Sequence, residues 1–131
     1  MAARKRASAP RPTDGELEIL RVLWQRGPST VREVHEALEE RPTGYTTVLK
    51  LLQIMTEKGL VDRDEKERAH VYRARAPRED TELQLVGDLL ERAFAGSASA
   101  LVMRALSTRK TSPQDLAKIR EILDELERGI R

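Results

Sequence analysis

Residues 45–59 read Y-T-T-V-L-K-L-L-Q-I-M-T-E-K-G, and the fold is decided there. Wound at the helical period, Val48, Leu51, Leu52 and Met55 share one side, and Thr46, Lys50, Gln53 and Glu57 share the other. Gly59 stands where a helix stop belongs, because glycine enters the left-handed region without steric cost. The second side is narrow, poor in charge and rich in hydrogen-bonding groups. Such a face fits a DNA major groove, where Lys donates to guanine, Gln pairs with adenine and Thr serves base or phosphate. The same pattern also fits a solvated helix on any globular domain, so the flanking segments have to decide.

Upstream, Thr13-Asp14-Gly15-Glu16 is a capping box. It opens a helix to about Arg26 that presents Leu17, Leu20, Leu23 and Trp24 for burial and stops at Gly27-Pro28. Thr30-Val31-Arg32-Glu33 is a second box. The helix it opens runs to about Glu40 and buries Val31, Val34 and Leu38. Arg41-Pro42-Thr43-Gly44 makes the turn into residue 45, since a residue before proline resists helical ψ. Downstream the period changes from 3.6 to 2. Leu60–Asp64 and Ala69–Arg75 read as strands joined by the polar link Glu65-Lys66-Glu67-Arg68. Three capped helices followed by a hairpin are the order of a winged helix-turn-helix, whose third helix enters the major groove with the hairpin beside it. The expected DNA-facing residues are Tyr45, near the backbone, Thr46, Thr47, Lys50 and Gln53, with Ile54 flanking them near a thymine methyl. On the wing Arg63, Lys66, Arg68, His70 and Arg73 are donors for phosphates, interleaved with Asp62, Asp64, Glu65 and Glu67.

Pro77 is expected to close this unit, which gives three segments: a basic tail over 1–12, a winged-helix domain over 13–77, and a helical domain over 78–131. The tail holds four basic residues and two prolines without periodicity. It reads as disordered, either solvated or touching DNA. In the last segment Leu83, Val86, Leu90 and Phe94 make one apolar stripe, and Leu85 with Leu89 a second. Gly96 breaks this helix. A short one follows over Ala98–Leu106, and Ser112-Pro113 starts the last. There Leu116, Ile119, Leu123, Leu126 and Ile130 are spaced 3-4-3-4, an a/d seam. Two heptads do not sustain a coiled coil alone, and fifty-odd residues in thin helices bury themselves poorly. A homodimer interface over both strips is therefore expected. The overall class is mostly α with a small β-hairpin.

The composition limits the alternatives. With 131 residues, 39% hydrophobic and 35% charged, the chain accommodates one compact domain or a small domain plus an appendage. No apolar run approaches the ~20 residues of a membrane span. The basic N-terminus lacks an apolar signal core, so a cytoplasmic location is expected. Cysteine is absent, which removes disulfides, thiolate metal sites and a cysteine nucleophile. Residues 1–78 carry sixteen Lys/Arg against twelve Asp/Glu, and residues 79–131 eight against ten. A basic front half suits a polyanion on one side. The two histidines, His35 and His70, lie on different elements. His35 and Glu39 share a helical turn, but a solvated pair fits better than a metal site. No Ser/His/Asp pattern, P-loop or glycine fingerprint occurs. Neither an enzyme nor a cofactor or metal is expected.

Y-T-T-V at 45–48, L-Q-I-M-T-E-K-G-L-V at 52–61, A-H-V-Y-R at 69–73 and L-E-I-L-R-V-L-W at 17–24 together resemble the penicillinase-repressor family of the BlaI/MecI type. The likeness runs from Thr13 to the end, including S-A-L-V-M at 99–103 and L-A-K-I-R-E-I-L-D-E-L at 116–126. It implies a dimeric winged-helix repressor of palindromic operators, relieved when a membrane-bound sensor peptidase triggers cleavage in the C-terminal part. Arg104-Ala105 stands where staphylococcal members carry an Asn-Phe cleavage pair. Lys50 and Ile54 stand where the family is associated with Thr and Arg. The C-terminal Cys-x-Cys pairs of the related copper-responsive repressors are missing. The expected function is a homodimeric repressor on double-stranded DNA. The competing reading is a winged-helix module that contacts only proteins.

Overall fold

Both capping boxes form, and they start the first two helices. The computed structural model describes residues 10–38, 43–66 and 68–129. Most of the tail, the Glu39–Pro42 stretch, Glu67 and Ile130 lie outside the described residues. Helix α1 spans Asp14–Arg26. The Glu16 amide donates to Thr13 Oγ1 at 3.3 Å, and Glu16 Oε1 accepts from the Thr13 amide at 2.9 Å. Helix α2 spans Val31–Ala37, with the same exchange between Thr30 and Glu33.

Helix α3 spans Tyr45–Lys58. It ends with Gly59 at φ 85°, in the left-handed region. There the Gly59 amide donates to Thr56 O and the Leu60 amide to Met55 O, the paired bonds of a Schellman stop. A Cβ at Gly59 would lie 2.9 Å from Arg75 Nη1, the movable end of a side chain, so the positive φ is what holds glycine at this position.

Three short strands form one antiparallel sheet in the order β1-β3-β2. Strand β2 is Val61–Asp64 and β3 is Val71–Ala74, with Arg63 opposite Tyr72. Both strands are shorter than the sequence pattern suggests. Strand β1, Ser29–Thr30, is not foreseen in the sequence because two residues carry no period. It pairs Ser29 with Tyr72 and Thr30 with Val71. Thr30 thus closes a strand and caps α2 at once.

The core gathers Ile19, Leu20, Val22 and Leu23 of α1, Val31 and Val34 of α2, Val48, Leu52 and Met55 of α3, and Val61 and Tyr72 of the sheet. Leu17 and Trp24, expected inside, are only partly buried, while Ile19 is fully enclosed. The physical reason is that α1 packs against α2, α3 and β3 together, so its apolar arc is wider than one stripe. Leu38 and Leu51 likewise sit at the edge of the core. The polar tip of Trp24 is satisfied within the chain: its indole N–H donates to Ala76 O at 3.0 Å, and the Arg78 guanidinium lies 6.0 Å from the ring centre.

Helix α4 spans Arg78–Ala93. The chain divides into two units within it, between Val86 and Gly87, later than the boundary expected at Pro77. Its start belongs to the first unit, where Thr81 is buried. The second unit holds the rest of α4, then α5, Ala98–Thr108, and α6, Pro113–Glu127. Gly96 at φ 80° turns the chain out of α4. Ser97 and Ser112 cap the two following helices through the amides of Ala100 and Asp115. Neither α5 nor α6 has a buried residue.

Candidate nucleic-acid interface

Helix α3 separates its two faces cleanly. Val48, Leu52 and Met55 are 0% exposed, and Leu51 on the same side lies at the edge of the core. Thr46, Thr47, Lys50 and Gln53 are all exposed on the other side, and Ile54 is half-buried at its flank. Tyr45 is exposed at the helix entry. The structure therefore brings five of the six expected helix residues onto open surface and leaves Ile54 partly covered.

The start of α3 differs from those of α1 and α2. Acidic residues occupy the first turns of α1 (Asp14, Glu16) and α2 (Glu33), and none occupies that of α3. Its N-cap is Gly44, without a side-chain cap. A positive helix end without a nearby carboxylate tolerates an approaching anion.

The entry is fixed from outside. His35 Nε2 lies 2.9 Å from the Thr43 carbonyl oxygen. A carbonyl only accepts, so Nε2 carries the hydrogen. The His35 and Tyr45 rings meet edge to face, with centroids 5.9 Å apart and planes at 79°. At the exit Lys58 Nζ donates to Glu16 Oε1 at 2.7 Å. Glu16 is 2% exposed. Burial pushes its carboxyl up, but the Lys58 hydrogen bond, the Thr13 amide and the Lys58 charge outweigh this, and its pKa is lowered from 4.5. Neither hold is visible in the sequence. Glu16 reads there as a capping residue, and its cation lies 42 residues away.

The wing carries its cations among carboxylates. Arg63 Nη2 meets Glu65 Oε2 at 2.6 Å. Hydrogen bonds to Tyr72 first, then to Glu65, raise the pKa of its guanidinium. Arg73 Nε is 4.0 Å from Asp62 Oδ2. Arg75, not singled out by the sequence pattern, donates through Nε and Nη2 to Asp62 Oδ1 at 3.0 and 2.7 Å. That bond is the largest cause holding the Asp62 carboxyl below its usual range. The Lys66 backbone amide donates to Asp64 Oδ1 at 3.0 Å. Arg68 and His70 are exposed.

Of the residues expected at an interface between two copies, Leu83, Val86, Leu123 and Leu126 are exposed at 72%, 44%, 53% and 52%. Leu90, Phe94, Leu116 and Ile119 are half-buried. Among the described residues no group of three or more His, Cys, Asp or Glu is placed to hold a metal ion. No described helix is long and apolar enough to cross a membrane.

Helices α1–α3 with the β2–β3 wing define a winged helix-turn-helix protein. A solved structure described as the complex of hsRosR-S4 shares this fold at a TM-score of 0.52 and 20% identity, covering 98% of this chain and 99% of that one. The family profile described as penicillinase repressor matches residues 12–125. The chain is 35% identical over 126 residues to the transcriptional regulator BlaI of Mycobacterium tuberculosis, covering 94% of this chain and 90% of that relative. It is 24% identical over 117 residues to the penicillinase repressor of Bacillus licheniformis, covering 88% and 91%. The chain belongs to the penicillinase repressor family.

Proposed function

We propose that the protein is a dimeric transcriptional repressor that binds palindromic operators, with residues 13–77 as the DNA-binding part and 78–131 as the dimerising part. The observation that carries this reading is the division of α3 into a face locked in the core and an open face of Thr46, Thr47, Lys50 and Gln53. The locked face holds the helix against the core, and the open face offers the donors and acceptors that base edges pair with. Tyr45 and the uncapped first turn of α3 meet the adjoining phosphates, and Ile54 meets a thymine methyl from the flank. Arg63, Lys66, Arg68, His70 and Arg73 of the wing add phosphate contacts that hold register without reading sequence.

The apolar residues left open on α4 and α6 support self-association. Burying Leu83, Val86, Leu90 and Phe94 together with the Leu116–Leu126 seam between two copies removes them from water and doubles the number of reading helices. Relief of repression then acts through the second unit. Arg104-Ala105 is exposed but lies within α5, so a sensor peptidase that cleaves there has to unwind a helical turn and accept a basic residue before the bond.

The experiment uses a duplex enriched from a random-sequence pool by the full-length protein. Lys50→Ala and Gln53→Ala are each expected to weaken that duplex by about 1–3 kcal/mol, measured by fluorescence anisotropy at fixed salt, with unchanged thermal unfolding. Wild-type affinity in both variants would remove the groove assignment. A chain that enriches no duplex would favour a module that contacts proteins.

A further inference from the structure

We infer that His35 and Glu16 are positioning residues which set how α3 is presented to DNA, one holding its entry and the other its exit. The inference rests on the DNA-binding reading above. The packed face of α3 is apolar throughout, and apolar burial is non-directional. Val48, Leu52 and Met55 lock the middle of the helix against the core and leave the setting of its two ends to other contacts. Hydrogen bonds are directional and supply the missing restraint. Gly44 offers the helix start no side-chain cap, and His35 fixes the backbone one residue earlier, at the Thr43 carbonyl. The other end of α3 is tied by Lys58 to Glu16, which is itself anchored to the Thr13 amide.

Energetics argue for geometry as the use of this pair. Glu16 is buried while Lys58 stays partly exposed, and the cost of taking the carboxylate out of water offsets much of the attraction, so the pair is a weak source of net stability. What it does supply is a fixed distance between the start of α1 and the end of α3. Base readout depends on that kind of accuracy, because a bidentate contact from Gln or a paired donor from Lys is lost when the helix shifts. Phosphate contacts tolerate such a shift, since their attraction is longer in range and the side chains adapt. Loss of either hold should therefore degrade preference among sequences while leaving general DNA affinity in place. A role in stability alone would not do this.

The test compares the full-length wild type with His35→Leu, His35→Gln, Glu16→Gln and Lys58→Met. The probes are a duplex enriched from a random pool by the wild type and a scrambled duplex of the same composition. Circular dichroism and thermal unfolding establish that each variant is folded. His35→Leu and Lys58→Met are expected to lose about tenfold on the enriched duplex, the loss of one good base contact, with the scrambled duplex unchanged. His35→Gln, which restores a donor towards Thr43, should recover most of the preference. Glu16→Gln keeps the acceptor for Thr13 while removing the charge, and it should fall between Lys58→Met and the wild type. This milder change carries the exit arm of the test should Lys58→Met not fold. Folded variants that keep the wild-type preference, or that lose both duplexes equally, would overturn the positioning roles. A wild type that enriches no duplex would overturn the DNA reading and this inference with it, and the two failures are told apart by that control.

Discussion

Glu16 shows how one side chain can serve a cap, an ion pair and the acid sensitivity of the fold at once. Its pKa lies below the ordinary 4.5. A depressed folded-state value means that the unfolded chain binds the proton more tightly. The stabilisation is therefore fully present above the unfolded pKa and is lost as pH falls through the folded one. The denaturation midpoint of the wild type is expected to drop from neutral pH towards about pH 3 more steeply than that of Glu16→Gln. Parallel acid limbs in urea titrations would show that the Lys58 contact contributes nothing to pH dependence. Asp62 has the same sign of shift, with Arg75 as the leading cause. It lies on the open wing, where solvent screens the pair and little stability follows.

At the scale of elements, the wing and the reading helix should separate by experiment. Arg63 is engaged by Glu65 and Tyr72, whereas Arg68 is exposed beside the turn. Arg68→Ala is expected to weaken enriched and scrambled duplexes alike and to flatten the salt dependence by about one unit. Arg63→Ala should do less, because the guanidinium must first leave its own carboxylate. A change in preferred base on losing Arg68 would make the wing a reader of sequence. The elements themselves were largely legible in the amino-acid order, for local reasons. Thr13-x-x-Glu16 and Thr30-x-x-Glu33 close within one turn, Gly59 stops α3 where the pattern ends, and the 3.6-residue period of Val48, Leu52 and Met55 needs no distant partner. What escaped the sequence depends on distance along the chain. Strand β1 exists only because Tyr72 and Val71 arrive from forty residues on. Ile19 and Val22 are buried because three elements surround α1. His35 and Lys58 take their partners from tertiary packing, and no spacing announces that.

For the whole molecule, the open apolar surface of α4 and α6 sets the expected state in solution. A specific interface buries roughly 1,200–2,000 Å², and in the proposed dimer the exposed leucines of these helices would supply its apolar centre. Leu123 is 53% exposed in the single chain, so Leu123→Asp should spare the protomer and strike association, where the charge would be buried without a partner. Sedimentation is expected to show a dimer for the wild type and a monomer for the variant, with affinity for the enriched duplex falling strongly once the second contact is no longer intramolecular. A wild type that stays monomeric at micromolar concentration while binding tightly would overturn the dimer.

Thr30 belongs at once to a strand and to a helix cap, and the two parts are expected to act as one cooperative unit. If the wing peels away from Ser29 and Thr30, the geometry that lets Thr30 Oγ1 hold the Glu33 amide goes with it. The backbone amides of β3 and of the first turn of α2 are therefore expected to exchange with deuterium through a shared opening, with matching protection and a common response to denaturant. Independent opening of the two would mean that the strand is an ornament on the sheet. Shared opening means that whatever steadies the wing, bound DNA included, also tightens the helix before the turn and so firms the platform from which α3 projects.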